Sequence, residues 1–252
     1  KTQKEKADKE LQKLKDAEEQ LLAEKENLTK QLSQTKDELN RKNRIIDAKQ
    51  NEYNLTKSLV DSLEGFPESI KFLKKNATWT KNALLVSDII YCQETYRISI
   101  ENYLENYLSY YVVQNVEEAI KAVNLLSDAA KGRANFFVLD EFRHFKPSQP
   151  VLGSELKPVL ELIEVDGKYQ QLAAYLLDNT YYISNEDEAE KILSDKKYNN
   201  INLLTSSGKY IKRSFAVSGG AVGLFEGKRI GRAKNLDKLQ KELKVFEKEA
   251  AS

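Results

Sequence analysis

Residues 1–57 carry a hydrophobic pattern that repeats every seven positions. With position a set at Leu11, ten of the sixteen a and d positions up to residue 63 are apolar or tyrosine: Leu11, Leu14, Leu21, Leu28, Leu32, Leu39, Ile46, Tyr53, Val60 and Leu63. No glycine or proline interrupts this run before Gly65. Sustained a and d spacing with charged residues between predicts a coiled coil. A free charged helix is the alternative.

The far end of the chain shows the same kind of seam. Its apolar positions follow a three-four-three spacing: Leu236, Leu239, Leu243, Phe246 and Ala250. Two seams that flank one compact region predict an antiparallel coiled coil made of residues 1–57 and 233–252. The second segment is much shorter, and the chain begins at a lysine within a periodic run. We therefore expect a piece of a longer protein.

Residues 58–232 have the composition of a folded body, with most of the aromatic residues and glycines. Leu63-Glu64-Gly65-Phe66-Pro67 ends the first helix, because glycine and proline break helices. The patterns that follow predict a helix at 68–75, strand or turn at 84–90, a helix at 94–109, a strand at 110–113, a helix at 116–130, a turn at 132–133 and a strand at 135–139.

Much of this body occurs twice. Residues 111–121 align with residues 181–191 without a gap. The strand at 135–138 aligns with 202–205 after a contraction by three positions, and a helix at 169–177 is equivalent to the one at 96–108. We predict a mixed α/β (α+β) body with two similar halves, 58–141 and 154–232, joined by a linker at 142–153.

Composition removes several classes of function. The net charge of +1 gives no global attraction to nucleic acid, so any such contact must be local. The single cysteine, Cys92, excludes an internal disulfide and a multi-thiolate metal site, and the single histidine, His144, leaves little acid–base material. No phosphate-binding Gly-x-x-x-x-Gly-Lys-Ser/Thr loop and no membrane-length apolar run occurs. We expect a non-catalytic segment without a cofactor or metal of its own.

The stretch from 205 to 234 stands out for two residue types. Six of the ten glycines fall within 205–231, where they serve either as hairpin turns or as points of close backbone approach to another strand or subunit. The second type is basic, and the seven cations could contact phosphate or form an ordinary solvated face: Lys209, Lys212, Arg213, Lys228, Arg229, Arg232 and Lys234.

Two motifs resemble the hinge of the structural-maintenance-of-chromosomes (SMC) ATPases over roughly residues 58–234. Leu63-Glu64-Gly65-Phe66-Pro67 is similar to the motif that opens this hinge, and Gly132-Arg133-Ala134-Asn135-Phe136 is similar to its Gly-Arg-Ala-Thr-Phe motif. The family's Gly-x6-Gly-x3-Gly-Gly pattern is matched at Gly208 and Gly219-Gly220, but Phe215 stands at its second glycine. A zinc-hook repair ATPase, the related architecture, would need a Cys-x-x-Cys motif that this chain lacks.

The resemblance implies a function for the chain. SMC hinges form homodimers in which the first half of one copy meets the second half of the other, and the implied interface residues here are Gly132, Arg133, Gly208, Phe215, Gly219 and Gly220. Such dimers hold together long arms that carry ATPase heads, with ATP and Mg at the heads and DNA, often single-stranded, at basic surfaces.

The same resemblance implies kleisin-type subunits only at heads that lie outside this chain. It also implies a bacterial chromosome-segregation protein in the cytoplasm at the nucleoid. The alternative is a coiled-coil scaffold whose α/β cap recruits a protein partner without pairing with itself.

Overall fold

The computed structural model describes residues 2–76, 78–80, 82–149, 156–214, 216–220 and 227–251. These residues form two compact units, one of residues 1–55 with 238–252 and one of residues 56–237. No helix among the described residues is long and apolar enough to cross a membrane.

The first unit pairs two antiparallel helices. Helix α1 spans Thr2–Ser62 and helix α8 spans Arg232–Ala251. Lys49 lies 2.8 Å from Glu242 and Lys42 lies 3.5 Å from Glu249, so a step of seven positions back on α1 matches a step of seven forward on α8. The apolar residues of α8 that are shielded from solvent are those of the predicted seam: Leu236, Leu239, Leu243, Phe246 and Ala250.

The first half of the body is a three-stranded sheet with its helices. In chain order its elements are α2 (Glu68–Lys75), β1 (Leu84–Leu85), α3 (Val86–Ile89), β2 (Tyr91–Cys92), α4 (Glu94–Leu104), β3 (Tyr111–Val113), α5 (Val116–Asp128) and β4 (Phe136–Val138). The sheet order is β1-β3-β4. A 3₁₀ helix, Leu139–His144, follows β4.

The second half repeats this arrangement and adds a hairpin. Its elements are β5 (Lys157–Pro158), a 3₁₀ helix (Val159–Leu162), β6 (Ile163–Glu164), a 3₁₀ helix (Gly167–Tyr169), α6 (Gln170–Leu176), β7 (Thr180–Ile183), α7 (Glu186–Ser194), a 3₁₀ helix (Lys196–Tyr198), β8 (Asn202–Thr205), β9 (Tyr210–Arg213) and β10 (Ala216–Gly219). The sheet order is β10-β9-β8-β7-β5.

The strand register confirms the predicted repeat. Strands β3 and β4 pair in parallel with Tyr111 opposite Phe136, and β7 and β8 pair in parallel with Tyr181 opposite Leu203. Strands β3 and β7 are therefore equivalent in the alignment without a gap, and β4 and β8 are equivalent after the contraction by three positions. The N-cap asparagines are equivalent as well: Asn115 caps α5 and Asn185 caps α7, each accepting a backbone N–H through its side chain.

The two halves share one core. Cluster members from both sheets meet in it, including Val112 and Leu108 from the first half and Tyr182, Leu204 and Leu172 from the second. Strand β2 also pairs with β6 across the halves, with Tyr91 opposite Glu164. Each helix α5 and α7 covers the other face of its own sheet through a separate, smaller core.

Two local predictions need correction. The sequence predicts strand or turn at 84–90, but Val86–Ile89 forms one helical turn between two short strands. The Leu85 N–H donates to the Asp88 carboxylate at 3.2 Å, which stabilises that turn. The helix predicted at 94–109 ends at Leu104, where turns replace it before β3.

Candidate functional site

The clearest difference between the halves lies at the sheet edges. Strands β4 and β8 are equivalent, but β8 is covered along its outer edge by β9, whereas β4 ends its sheet among the described residues. Phe136, Phe137 and Val138 of β4 are all half-buried. An edge strand offers unpaired backbone N–H and C=O groups to a further strand. The first half therefore has an open edge where the second half has a hairpin.

The hairpin brings a second edge that no described strand covers. Strand β10 is exposed along its whole length and ends the five-stranded sheet. Arg213 of β9 holds the hairpin against the first half by donating to the Tyr103 carbonyl at 2.9 Å and to the Ser218 hydroxyl at 3.3 Å. Its guanidinium also lies 5.0 Å from the centroid of the Tyr103 ring. Arg213, predicted to contact DNA, thus orders β10.

The predicted interface glycines lie at these edges or in turns. Gly219 and Gly220 are exposed at the end of β10, and Gly132 and Arg133 are exposed in the loop before β4. Gly208 lies in the β8–β9 turn with a φ of 70°. A Cβ on Gly132 or Gly220 would meet no described atom within 4 Å. Their surroundings leave room for a partner. Phe215 lies outside the described residues.

The glycines that pack closely within the chain are others. A Cβ on Gly227 would lie 2.8 Å from the Ile98 side chain, and one on Gly231 would lie 2.9 Å from the Tyr91 ring. Both glycines have a positive φ. The segment that leads into α8 therefore lies directly on α4 and β2, a close approach that only glycine permits.

Lys212 does not belong to a surface patch, which corrects the sequence expectation for this residue. It is only 6% exposed, and its ammonium donates to the carbonyls of Tyr198, Asn199 and Ile201 at 2.9, 3.1 and 3.0 Å. Burial lowers the pKa of Lys212 below its ordinary value. Its role in this structure is to hold the connection between α7 and β8.

Arg232 is the second cation to correct. It is buried, with Nε donating to the Lys228 carbonyl at 2.6 Å and Nη1 lying 3.4 Å from the carbonyls of Leu59 and Glu64. Its guanidinium also lies over the Phe66 ring. Arg232 therefore joins the end of α1 to the first turn of α8, and burial lowers the pKa of its side chain.

The remaining cations are at the surface. Lys228, Arg229 and Lys234 lie within one short stretch before and at the start of α8, and Lys209 lies in the β8–β9 turn. Arg229 has a loose ion pair with Glu105 at 3.8 Å, and Lys234 contacts Glu164 and the face of Tyr91. These four keep the predicted basic character, whereas Lys212, Arg213 and Arg232 are engaged inside the fold.

Glu101 is an anchoring residue that the sequence interpretation missed. This buried carboxylate of α4 accepts hydrogen bonds from the backbone N–H groups of Gly227, Arg229 and Ile230 at 2.9, 2.7 and 3.2 Å. It fixes the segment that carries the surface cations. A signal existed: Glu101 follows Ile100 and precedes Leu104 by three positions, which puts a carboxylate on the inner face of an amphipathic helix.

Cys92 has the surroundings of a structural thiol. It is buried in the shared core, and burial raises its pKa to about 11, which disfavours the reactive thiolate. In the described part of the chain, no group of three or more His, Cys, Asp or Glu residues could hold a metal ion.

Known proteins share this architecture. The fold is similar to that of an SMC hinge domain from Geobacillus stearothermophilus crystallised as an asymmetric dimer, with a TM-score of 0.69 and 19% identity over 87% of this chain and 91% of that one. It is also similar to the SMC hinge domain of Pyrococcus furiosus, with a TM-score of 0.51 and 23% identity over 73% of this chain and 92% of that one. The body therefore has the fold of an SMC hinge.

Sequence comparison adds the family. Residues 82–193 match the family of the SMC proteins flexible hinge domain, and the chain accordingly contains an SMC hinge domain. The chromosome partition protein Smc of Chlorobaculum tepidum is 29% identical over 92% of this chain and 20% of its own length. That of Methanocaldococcus jannaschii is 30% identical over 50% of this chain and 10% of its own length. The chain spans a fifth or less of these relatives.

Proposed function

We propose that this chain is the dimerisation hinge of a chromosome partition protein, in which two copies join through the β4 edge of one and the β10 edge of the other. One observation carries the proposal. Of two equivalent strands, β8 has its outer edge covered by a hairpin of its own chain, and β4 ends its sheet among the described residues. Strand addition at such an edge satisfies backbone hydrogen bonds and gives a defined register.

Two copies provide two such joints. In a two-fold dimer the same pair of surfaces meets twice, with the first half of each copy against the second half of the other. Gly219 and Gly220 at the end of β10 and Gly132 before β4 are exposed and lack side chains, which supports close approach of the two backbones. This arrangement agrees with a neighbour of the same fold that forms a dimer.

The rest of the function follows from the relatives. They are chromosome partition proteins, and we propose that the hinge holds two coiled-coil arms together in such a protein. ATP hydrolysis with Mg, and kleisin-type subunits, would then belong to head domains beyond these residues. We place the whole protein in the cytoplasm, at the nucleoid.

Mass measurement tests the dimer. Light scattering across a concentration series is expected to show twice the chain mass up to roughly 50 μM, with dissociation on dilution. A strict monomer at that concentration contradicts the proposal and favours the alternative, a scaffold whose cap recruits a different protein.

DNA contact is a second candidate function, supported by the surface cations Lys209, Lys228, Arg229 and Lys234. Lysine and arginine contacts to phosphate give an affinity that falls with salt. Charge reversal by Lys209→Glu with Lys228→Glu is expected to weaken binding of single-stranded DNA and to flatten its salt dependence. The control is Lys191→Glu on exposed α7, which is compared with each of the two charge reversals made singly. Fluorescence anisotropy gives the affinities, and equal values for both variants remove these cations from the function.

A further inference from the structure

Four large apolar side chains of the body stand out by their exposure to solvent. Among the described residues of 56–237, the most exposed large apolar side chains are Val217 of β10 at 62%, Ile120 at 53%, Val123 at 49% and Val116 at 48%. Positions 116, 120 and 123 fall on one flank of α5. We call Val116, Ile120 and Val123 the α5 stripe. An exposed apolar group of this kind marks an interaction surface.

The internal repeat provides a comparison for the stripe. When the gap-free alignment of the two halves is continued along the helices, α7 has Glu186, Glu190 and Leu193 in place of Val116, Ile120 and Val123. Both helices cover their own sheets in the same way, with Ala122 and the equivalent Ile192 among the residues on the inner side. The stripe is therefore particular to the first half and is not needed for the shared strand–helix–strand fold.

Chain geometry gives the direction in which the stripe faces. Parallel strand–helix–strand units cross over with a right-handed turn. With Ala122 and Leu126 against the sheet, the right-handed winding of α5 directs the stripe toward the outer edge of β4. The opposite flank, with Leu125, packs in the cluster that includes Ile70 and Leu73 of α2. The stripe and the open β4 edge thus form one continuous surface.

Val217 lies on a matching surface of the second half. It is opposite Lys212, and Lys212 is opposite Leu203, which packs on the α7 side of the sheet. Residues directly opposite each other in a sheet point to the same face. Val217 therefore points to the helix-bearing face at the outermost strand. If β10 extends the β1-β3-β4 sheet of a second copy with the helices on the same face, Val217 comes under the stripe.

We propose that the α5 stripe is covered by Val217 of a second copy of this chain. The proposal rests on the dimer described under Proposed function and names the side chains that make it specific. In a two-fold dimer the contact forms twice, so one pair of surfaces removes Val217 and the α5 stripe of each copy from water.

Charge replacement across the contact tests the proposal. Ile120→Lys and Val217→Glu are each expected to weaken the homodimer by about tenfold or more, because each buries an unpaired charge at two joints. Asn124→Lys is the control: it adds the same charge on the same helix, at an exposed position outside the stripe. Sedimentation across concentration gives the dissociation constants, and circular dichroism checks that all variants are folded.

Mixing the two variants gives a sharper outcome. A dimer with one chain of each kind has one joint where the new lysine meets the new glutamate and one joint with Ile120 and Val217 unchanged. We expect this mixed dimer to form in preference to either homodimer, as measured by native mass spectrometry. Variants that dimerise as tightly as the unaltered chain overturn the contact and leave the dimer standing. A monomeric unaltered chain overturns the dimer itself.

Discussion

The two halves of the body have one backbone plan and different surfaces. Both contain the parallel strand–helix–strand unit with the same register and an asparagine cap. Only the second half adds a hairpin among the described residues, and only the first half has the apolar stripe on its helix. The comparison teaches that the repeated residues specify the fold, whereas the residues that differ specify what each half contacts. Four predictions test this division, in order of expected effect.

The largest effect is expected at Glu101. When Tyr96 is aligned with Tyr169, the equivalent residue of the second half is Ala174. Glu101→Ala leaves three backbone N–H groups without their carboxylate and should lower the free energy of unfolding by about 3 kcal/mol. Glu105→Ala, one turn later and exposed, should change it by less than about 0.5 kcal/mol. Urea denaturation measures both, and equal midpoints would show that Glu101 is not an anchor.

Substitution of Lys212 tests whether this lysine stabilises the second half or contributes to a DNA-binding surface. Lys212→Met removes the donor to three carbonyls and should lower the free energy of unfolding by about 2 kcal/mol, with little change in DNA affinity. Lys228→Met should do the reverse, because this lysine is exposed. Denaturation and anisotropy are measured on both variants. A loss of DNA affinity for Lys212→Met without a loss of stability would restore Lys212 to the surface patch.

Substitution of the two N-cap asparagines tests whether the strand–helix–strand units of the two halves are equivalent. Asn115→Ala and Asn185→Ala should each lower the free energy of unfolding by about 1 kcal/mol, because each cap satisfies the first N–H groups of its helix. The double variant should lose the sum, since the two sites lie in different halves. Thermal unfolding of all three proteins checks this, and an effect confined to one half would break the equivalence.

The smallest effect is expected from Asp88, which is exposed like its equivalent in the second half, Glu161. Although Asp88 is exposed at the surface, desolvation of its carboxyl by the packed residues around it raises its pKa above 3.8, so the folded state binds its proton more tightly than the unfolded state does. Stability from this group is therefore lost as pH rises through the window between 3.8 and the raised pKa. Asp88→Asn should gain stability relative to the unaltered chain from acid to neutral pH, with Glu161→Gln as the control. A stability difference between Asp88→Asn and the unaltered chain that does not change with pH contradicts the raised pKa of Asp88.

Local patterns predicted the fold to the extent that neighbours in sequence are neighbours in space. The seam of α8 and the helix at 68–75 were correct because helical periodicity is local. The repeat predicted that the two halves share one plan, because two similar segments fold in the same way, whereas the pairing of β3 with β4 and of β7 with β8 came from the structure. The single turn at Val86–Ile89 was missed because its apolar residues suit a short strand or a buried helix equally.

The basic residues were harder to place, because their environment comes from distant parts of the chain. Nothing near Lys212 in sequence shows that three carbonyls of residues 198–201 surround its ammonium. The same holds for Arg232, whose partners Leu59 and Glu64 lie near the end of the first helix, far earlier in the chain. The glycines at the sheet edges were placed by motif, and their role as a dimer contact stays a prediction.

The ribbon of β2 and β6 has a consequence for how the protein is made. Strand β2, with Tyr91, has no pairing partner until Glu164 of β6 has been synthesised. At roughly 5–20 residues per second, synthesis of the intervening stretch takes roughly 4–15 s. Until then β2 has no partner strand, and the apolar side chains of the first half that later form the shared core have no second half to pack against. The nascent chain is therefore most prone to pair incorrectly with a chain on a neighbouring ribosome before its own second half has been synthesised.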